Sequence, residues 1–244
     1  TVATARQPRN GAAVARTAPP PPTVATVATI PVKRRPPVEA DPFAPVGVGV
    51  GSLRLVPYVE ALGGYDSNPN RVTAPTKGSG LVRGELGVTA RSDWSVHEFK
   101  GDLRLGYSKY FDAPQADRPD GQAKLTWRLD ATRDAAFDLE LRGQLDTQRP
   151  GSPDLTPTGI RSRPLVTSLG ATAGGAHRIG DLELSLHGTL DRTMYEDATL
   201  NNGTKIALGG NSYNTYGLRS RASYQISPGI RPFIEVGSDM RIRD

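Results

Sequence analysis

Cysteine is absent from this chain of 244 residues, which also holds only two methionines, two tryptophans and three histidines. Without thiols there is neither a disulfide framework nor a thiolate metal site, a composition that suits export through an oxidising compartment. Long apolar runs are missing as well: no stretch reaches eighteen residues, the apolar fraction is 36% and mean hydropathy is −0.42. Helical membrane spans are thereby excluded, while a transmembrane barrel is not, because half of each strand faces water. A strong charge on the body of the chain is the third absence. The net charge is +5, yet residues 1–48 contain six basic and two acidic residues, leaving 24 basic against 23 acidic in the remainder. The basicity belongs to the leading segment, so no folded nucleic-acid-binding face is expected.

What is present is alternation. From Gln122, the residues Ala123, Leu125, Trp127, Leu129 and Ala131 alternate with Gln122, Lys124, Thr126, Arg128 and Asp130. After a tight turn at Thr132-Arg133-Asp134, Phe137, Leu139, Leu141, Gly143 and Leu145 alternate with Asp138, Glu140, Arg142, Gln144 and Asp146. Strand side chains point to opposite faces in turn, so each arm carries an apolar row and an ionic row. Strands in globular proteins usually run roughly five or six residues. These arms run about ten, the length a tilted strand needs to cross a bilayer.

Similar patterns recur over residues 53–63, 81–91, 97–111, 165–176, 182–192, 213–226 and 230–242. In the first of these, Pro57 removes a ladder donor and argues for an edge or irregular position. The connections alternate in length. Ser92–Val96, Thr132–Ala135, His177–Asp181 and Ser227–Gly229 are short; Gly64–Gly80, Asp112–Asp120, Arg149–Pro164 and Thr193–Ser212 are long and rich in Pro, Gly, Asn and Asp. Outer-membrane barrels have this layout, with short turns in the periplasm and long loops outside. The expected fold is all-β: an antiparallel up-and-down transmembrane β-barrel over residues 49–244, incomplete at about nine strands. Residues 1–48, rich in Pro and Ala, read as a disordered periplasmic linker, because such a composition buries too little apolar area to offset ordering entropy.

Aromatic placement fits two interfacial girdles, where amphipathic rings settle at headgroup level. Trp94, Phe99, Trp127 and Phe137 fall near short turns; Tyr107 and Phe111, with Tyr110 and Tyr213, fall near long loops.

Two stretches carry a family likeness: Ala40-Asp41-Pro42-Phe43-Ala44-Pro45-Val46-Gly47, and Gly63-Gly64-Tyr65-Asp66-Ser67-Asn68-Pro69-Asn70 at the end of the first long strand. Together they resemble the start of outer-membrane β-barrel porins of Gram-negative bacteria. The resemblance implies a surface-embedded barrel and a pore, and it carries over no functional residue. Such barrels resemble one another in ending on an aromatic residue, whereas this chain stops at Arg243-Asp244. With an odd count of strands as well, further C-terminal strands are expected beyond Asp244.

The charged rows supply the candidate site. Arg83, Glu85, Arg104, Arg128, Asp138, Glu140, Arg142, Arg219, Arg221, Arg231 and Glu235 are the expected lumen lining, placed to set the field of a channel. Other patterns have simpler readings. Asp66, Asn68 and Asn70 have the spacing that opens a calcium loop, but Arg71 stands where glycine is needed and Lys77 where the closing Glu would be, so a turn is preferred. Ser185, His187 and Asp191 share one face of one strand, too far apart for a nucleophile, base and orienting group. Asn202-Gly203-Thr204 is a glycosylation pattern that also makes a turn. The expectation is a non-enzymatic, porin-like channel of the bacterial outer membrane for small hydrophilic solutes or an exported polymer, with no cofactor and no metal. An anchor or adhesin using the long loops is the alternative, and a membrane-embedded hydrolase comes third. Expected partners are outer-membrane lipid, with lipopolysaccharide and peptidoglycan as further candidates; the sequence leaves the oligomeric state open.

Overall fold

The computed structural model of the chain describes residues 45–71, 75–148, 160–200 and 202–244. Positions 1–44 of the expected linker and the stretch 149–159 of one long connection lie outside the described residues. In chain order the strands are β1 (Val48–Val50), β2 (Leu53–Asp66), β3 (Ser79–Ser92), β4 (Glu98–Tyr110), β5 (Arg118–Asp130), β6 (Ala135–Thr147) and β7 (Ile160–Ser162). They continue as β8 (Leu165–Ile179), β9 (Leu182–Tyr195), β10 (Ala198–Leu200), β11 (Lys205–Ile206), β12 (Tyr213–Tyr224) and β13 (Phe233–Arg243). Nine of them are 11 to 15 residues long, enough for a tilted bilayer crossing.

These nine, with β1, form one antiparallel sheet in the order β1-β2-β3-β4-β5-β6-β8-β9-β12-β13. Each long strand pairs with its neighbours in sequence, which is up-and-down topology. The sheet is open, with β1 and β13 at its edges, consistent with the incomplete barrel expected from the odd strand count. The short β1 was not predicted. It folds back on β2 with Val50 opposite Leu53, and Gly51 takes φ +61 in the two-residue turn between them, a conformation that costs glycine no steric strain. Because β1 ends opposite Leu55, Pro57 lies where β2 has a free side, as its missing N–H required. The second departure from expectation lies in the long connections, where β7, β10 and β11 make a small sheet of their own.

Register holds the two faces apart. Leu125 stands opposite Leu141, Trp127 opposite Leu139 and Leu129 opposite Phe137, while Lys124 meets Arg142 and Arg128 meets Asp138. Among the described residues no protein layer covers the apolar rows. Leu86, Leu125, Trp127, Phe137, Leu186, Leu218 and Val236 are all more than a third exposed. A water-soluble chain rarely leaves so continuous an apolar surface open. The burial that does occur is mostly polar or small: Ser79, His187, Glu183 and Ser223 on the other face, and clusters of Tyr110 with Ala113 and Ala116, and of Ala198 with Leu208, under the long loops. The arrangement is inside-out, as lipid contact demands. No described helix is long and apolar enough to cross a membrane.

The charged face is the inside of a curl. Arg83 on β3 reaches over β4 to Asp120 on β5, and Arg142 on β6 reaches over β8 to Asp191 on β9. Further round, Arg163 donates to the Pro69 carbonyl at 3.1 Å, joining the exit of β2 to the approach to β8. Five strand intervals separate those points, roughly 24 Å on a flat sheet at the usual strand spacing.

Both rims are held by side-chain bonds. At the short-turn rim the Thr132 hydroxyl accepts from the backbone N–H of Asp134 and Ala135, at 3.2 and 3.0 Å. At the long-loop rim Asp117 accepts from the Lys109 ammonium and, at 2.7 Å, from the Tyr110 N–H. Burial alone would push the Asp117 carboxyl up; the bonds from Lys109 and Tyr110 outweigh it and hold the group below the usual carboxylate range. A depressed carboxylate stabilises above its unfolded pKa, about 3.9, and that contribution is lost as pH falls through the lower folded value. Hydrogen exchange at the Tyr110 amide should therefore be well protected above about pH 5 and lose protection below about pH 4. In Asp117→Asn the pH dependence should vanish; an unchanged profile would count against this anchor.

Candidate functional site: the charged face of the sheet

Three groups of ion pairs lie along the charged face. Near the long loops, Arg83 binds Asp120 at 2.8 Å through one nitrogen and Glu85 at 2.9 Å. Arg104 lies 3.9 Å from Glu85 and donates to Gln122 at 3.3 Å. The Tyr58 hydroxyl completes this group by donating to Glu85 at 3.0 Å, with its ring over Gly87. At mid-height Glu140 accepts from Lys124 at 3.1 Å and Arg142 at 2.8 Å, and Arg142 also binds Asp191 and Thr172. On the far strands Glu235 lies 3.4 Å from Arg219 and 3.9 Å from Arg221, whose guanidinium also covers the Phe233 ring.

The third group edges the short turns. Arg128 pairs with Asp130 at 2.9 Å, and Glu183 accepts from Arg231 at 3.2 Å and Arg178 at 3.4 Å. Arg231 precedes β13, so it sits at this rim and not along the strand. Asp138 lies 4.0 Å from the buried His187 ring. Some pairs run along one strand, as Arg83–Glu85, Glu140–Arg142 and Arg128–Asp130 do, and others cross strands, with several groups sharing partners. Many of the side chains stay wet: Lys100, Arg104 and Lys124 are 42%, 49% and 46% exposed. Exposed pairs contribute little stability each, of order 0–1 kcal/mol. Their consequence is electrostatic, a surface of alternating sign open to solvent.

Most of the aromatic residues expected in the girdle stand on the apolar face. Phe99 stands opposite Trp127 near the short turns, close to Phe137, and the Trp94 indole donates to Ser52 at 2.9 Å. Tyr107 and Phe111 lie at the other rim, 49% and 66% exposed. Tyr110 and Tyr213 do not join them. Tyr110 is buried against Ala113 and Ala116, and the Tyr213 ring lies under Arg241 on the charged face. Alternation is the reason: Tyr110 and Phe111 are adjacent and cannot face the same side.

The other sequence patterns fall out as turns. The Asp66 carboxylate accepts from the Asn68 N–H at 2.9 Å, and the Arg71 N–H reaches the Asn68 carbonyl at 3.1 Å. The Asn202 side chain accepts from the Thr204 N–H at 3.0 Å, with Gly203 at φ +83. His187 packs across Gly174 of β8, and Asp191 is taken by Arg142, so Ser185, His187 and Asp191 do not assemble. Three further arginines gather at the long-loop rim: Arg71 and Arg118 line a cavity on the charged face, and Arg163 donates to the Pro69 carbonyl. Extending the even-numbered row of β5 back from Gln122 would have found Arg118. Arg163 lies in a connection and carries no periodic signal.

Long antiparallel strands, a lipid-compatible outer face, a charged inner face and connections of alternating length define an up-and-down transmembrane β-barrel of the outer-membrane type. A family model described as "Putative beta-barrel porin 2" matches residues 41–244, and the chain belongs to that family. No curated protein and no solved structure was found to match it.

Proposed function

We propose that the chain forms the wall of a bacterial outer-membrane channel for small hydrophilic solutes, with the short turns in the periplasm and the long loops outside. One observation carries the reading: the charged face runs from rim to rim with many of its Arg, Lys, Asp and Glu in shared ion pairs that stay partly open to water, where a plugged barrel would fill that space with packed side chains. Arg83, Glu85, Arg104, Arg128, Asp138, Glu140, Arg142, Arg219, Arg221, Arg231 and Glu235 then set the field a solute meets. The same wall would serve an exported polymer. Family membership supports a channel over an enzyme, and the dispersal of Ser185, His187 and Asp191 supports it again.

The deciding measurement is current through a planar bilayer. The full-length protein, folded in lipid, should give stepwise conductance; folded protein that passes no current would sink the channel reading. The small sheet of β7, β10 and β11 among the long loops favours a second reading, an adhesin presenting that sheet outside. On that reading, deleting the connection between β9 and β12 abolishes adhesion and leaves conductance intact.

A further inference from the structure

A second property of the charged face lies at the long-loop rim. A cavity of about 600 Å³ opens there, lined by Arg71, Arg83, Arg104 and Arg118 together with Asp120 and Asp146. The acids and bases of this set differ in how far they are already committed. Asp120 is held by Arg83, which also holds Glu85. Arg104 has only a distant contact with Glu85, at 3.9 Å, and Arg71 meets Asp66 at 3.4 Å with its side chain 61% exposed. Arg118 forms no ion pair with a described residue. Neither does Arg163, whose guanidinium donates to the Pro69 carbonyl. Asp146 accepts from the Thr147 N–H and is the one acid of the lining outside an ion pair with a described residue.

Cations therefore outnumber the free acid. Burial, then Arg118, with Arg71 adding to it, pushes the Arg163 guanidinium down from its ordinary value, as expected for a buried cation beside like charges. Arg71 takes φ 54, left-handed backbone that only a few per cent of residues other than glycine adopt, and it is held so by its N–H bond to Asn68. Conformations of this kind cluster at ligand clamps.

We propose that Arg71, Arg104 and Arg118, which line the cavity, with Arg163 held beside them on the Pro69 carbonyl, form a binding site for small oxyanions, solutes carrying phosphate or carboxylate, at the outer mouth of the channel. Guanidinium groups match such oxygens two at a time, and a cavity of this volume takes a small organic anion. The strand-borne charges of its lining stand on the charged face, with Gly121 and Leu145 of the apolar rows also reaching it, so its ligand is a solute of the lumen and not a lipid headgroup. The site rests on the channel reading, of which it names the substrate class.

The test uses the full-length protein and inorganic phosphate. In detergent free of lipopolysaccharide, binding is read from broadening of the phosphate ³¹P resonance; in planar bilayers, the ratio of anion to cation permeability is read from the reversal potential. Replacing Arg118→Gln together with Arg163→Gln should weaken phosphate binding by about tenfold or more and lower the permeability ratio. Arg118→Gln alone leaves the Arg163 contact with Pro69 in place, and should weaken binding in the same direction if the double variant fails to fold. Wild-type protein that leaves the resonance sharp, or binding that neither variant alters, overturns the site. Arginine-dependent binding without current removes the channel and keeps the site; current without arginine-dependent binding does the reverse.

Discussion

Leu125→Arg should destabilise the folded protein by about 2–4 kcal/mol in lipid, the usual cost of an arginine on the lipid side of a barrel near the bilayer midplane. That is a shift of roughly thirtyfold to nearly a thousandfold in the folding equilibrium. Leu125 is near the middle of β5, faces outward opposite Leu141, and is 41% exposed because no described element covers it. The next residue provides the control. Thr126 points to the charged face, between Lys100 and Glu140 in register, and Thr126→Arg should change stability by less than about 1 kcal/mol, since its guanidinium stays in water. Denaturant unfolding in lipid vesicles measures both. Equal costs at the two positions would mean that the faces are not divided between lipid and water.

Gly174→Ala is the second large effect. A methyl group at this position would lie 2.3 Å from the Leu186 carbonyl oxygen and 2.3 Å from the His187 ring. Both distances are far inside van der Waals contact, and one of the two atoms is backbone, so β8 and β9 must shift apart or bend. Overpacking of this kind typically costs about 1–3 kcal/mol. The two contacts can be separated: adding His187→Ala removes the ring and should recover only part of the loss, because the clash with the Leu186 carbonyl remains. Complete recovery would place all the strain on the imidazole, and a loss below about 0.5 kcal/mol for Gly174→Ala alone would show that the sheet yields freely there.

The strands were legible because lipid and water impose a two-residue period on every crossing. Gln122 to Asp146 showed this most clearly, and its register pairs Leu125 with Leu141 and Arg128 with Asp138 as the pattern required. Legibility declined where that constraint lapses. The rims are neither in lipid nor deep in the sheet, so β1, β7, β10 and β11 form from local turn geometry and loop contacts that leave no repeating pattern. Parity also settles what composition could not: Tyr110 and Phe111 are alike in chemistry and adjacent in sequence, yet one is buried under a loop and the other is 66% exposed. On the charged face, sequence identified the row but not the pairing. Which acid holds Arg142 depends on strand order and curl, since Asp191 lies 49 residues away and one strand beyond the nearest neighbour.

The ladders joining β2 through β13 constrain how such a chain can diverge. One residue gained or lost inside a long strand would turn over every side chain beyond it, sending Arg and Glu toward lipid and Leu toward water. The same change in the connection between β2 and β3 leaves both flanking ladders as they are, because Asp66 and Ser79 are already paired to each other. The wall is therefore free to vary by exchange within a face, and the long loops by change of length. New loop sequences can arise there without disturbing the crossing beneath them.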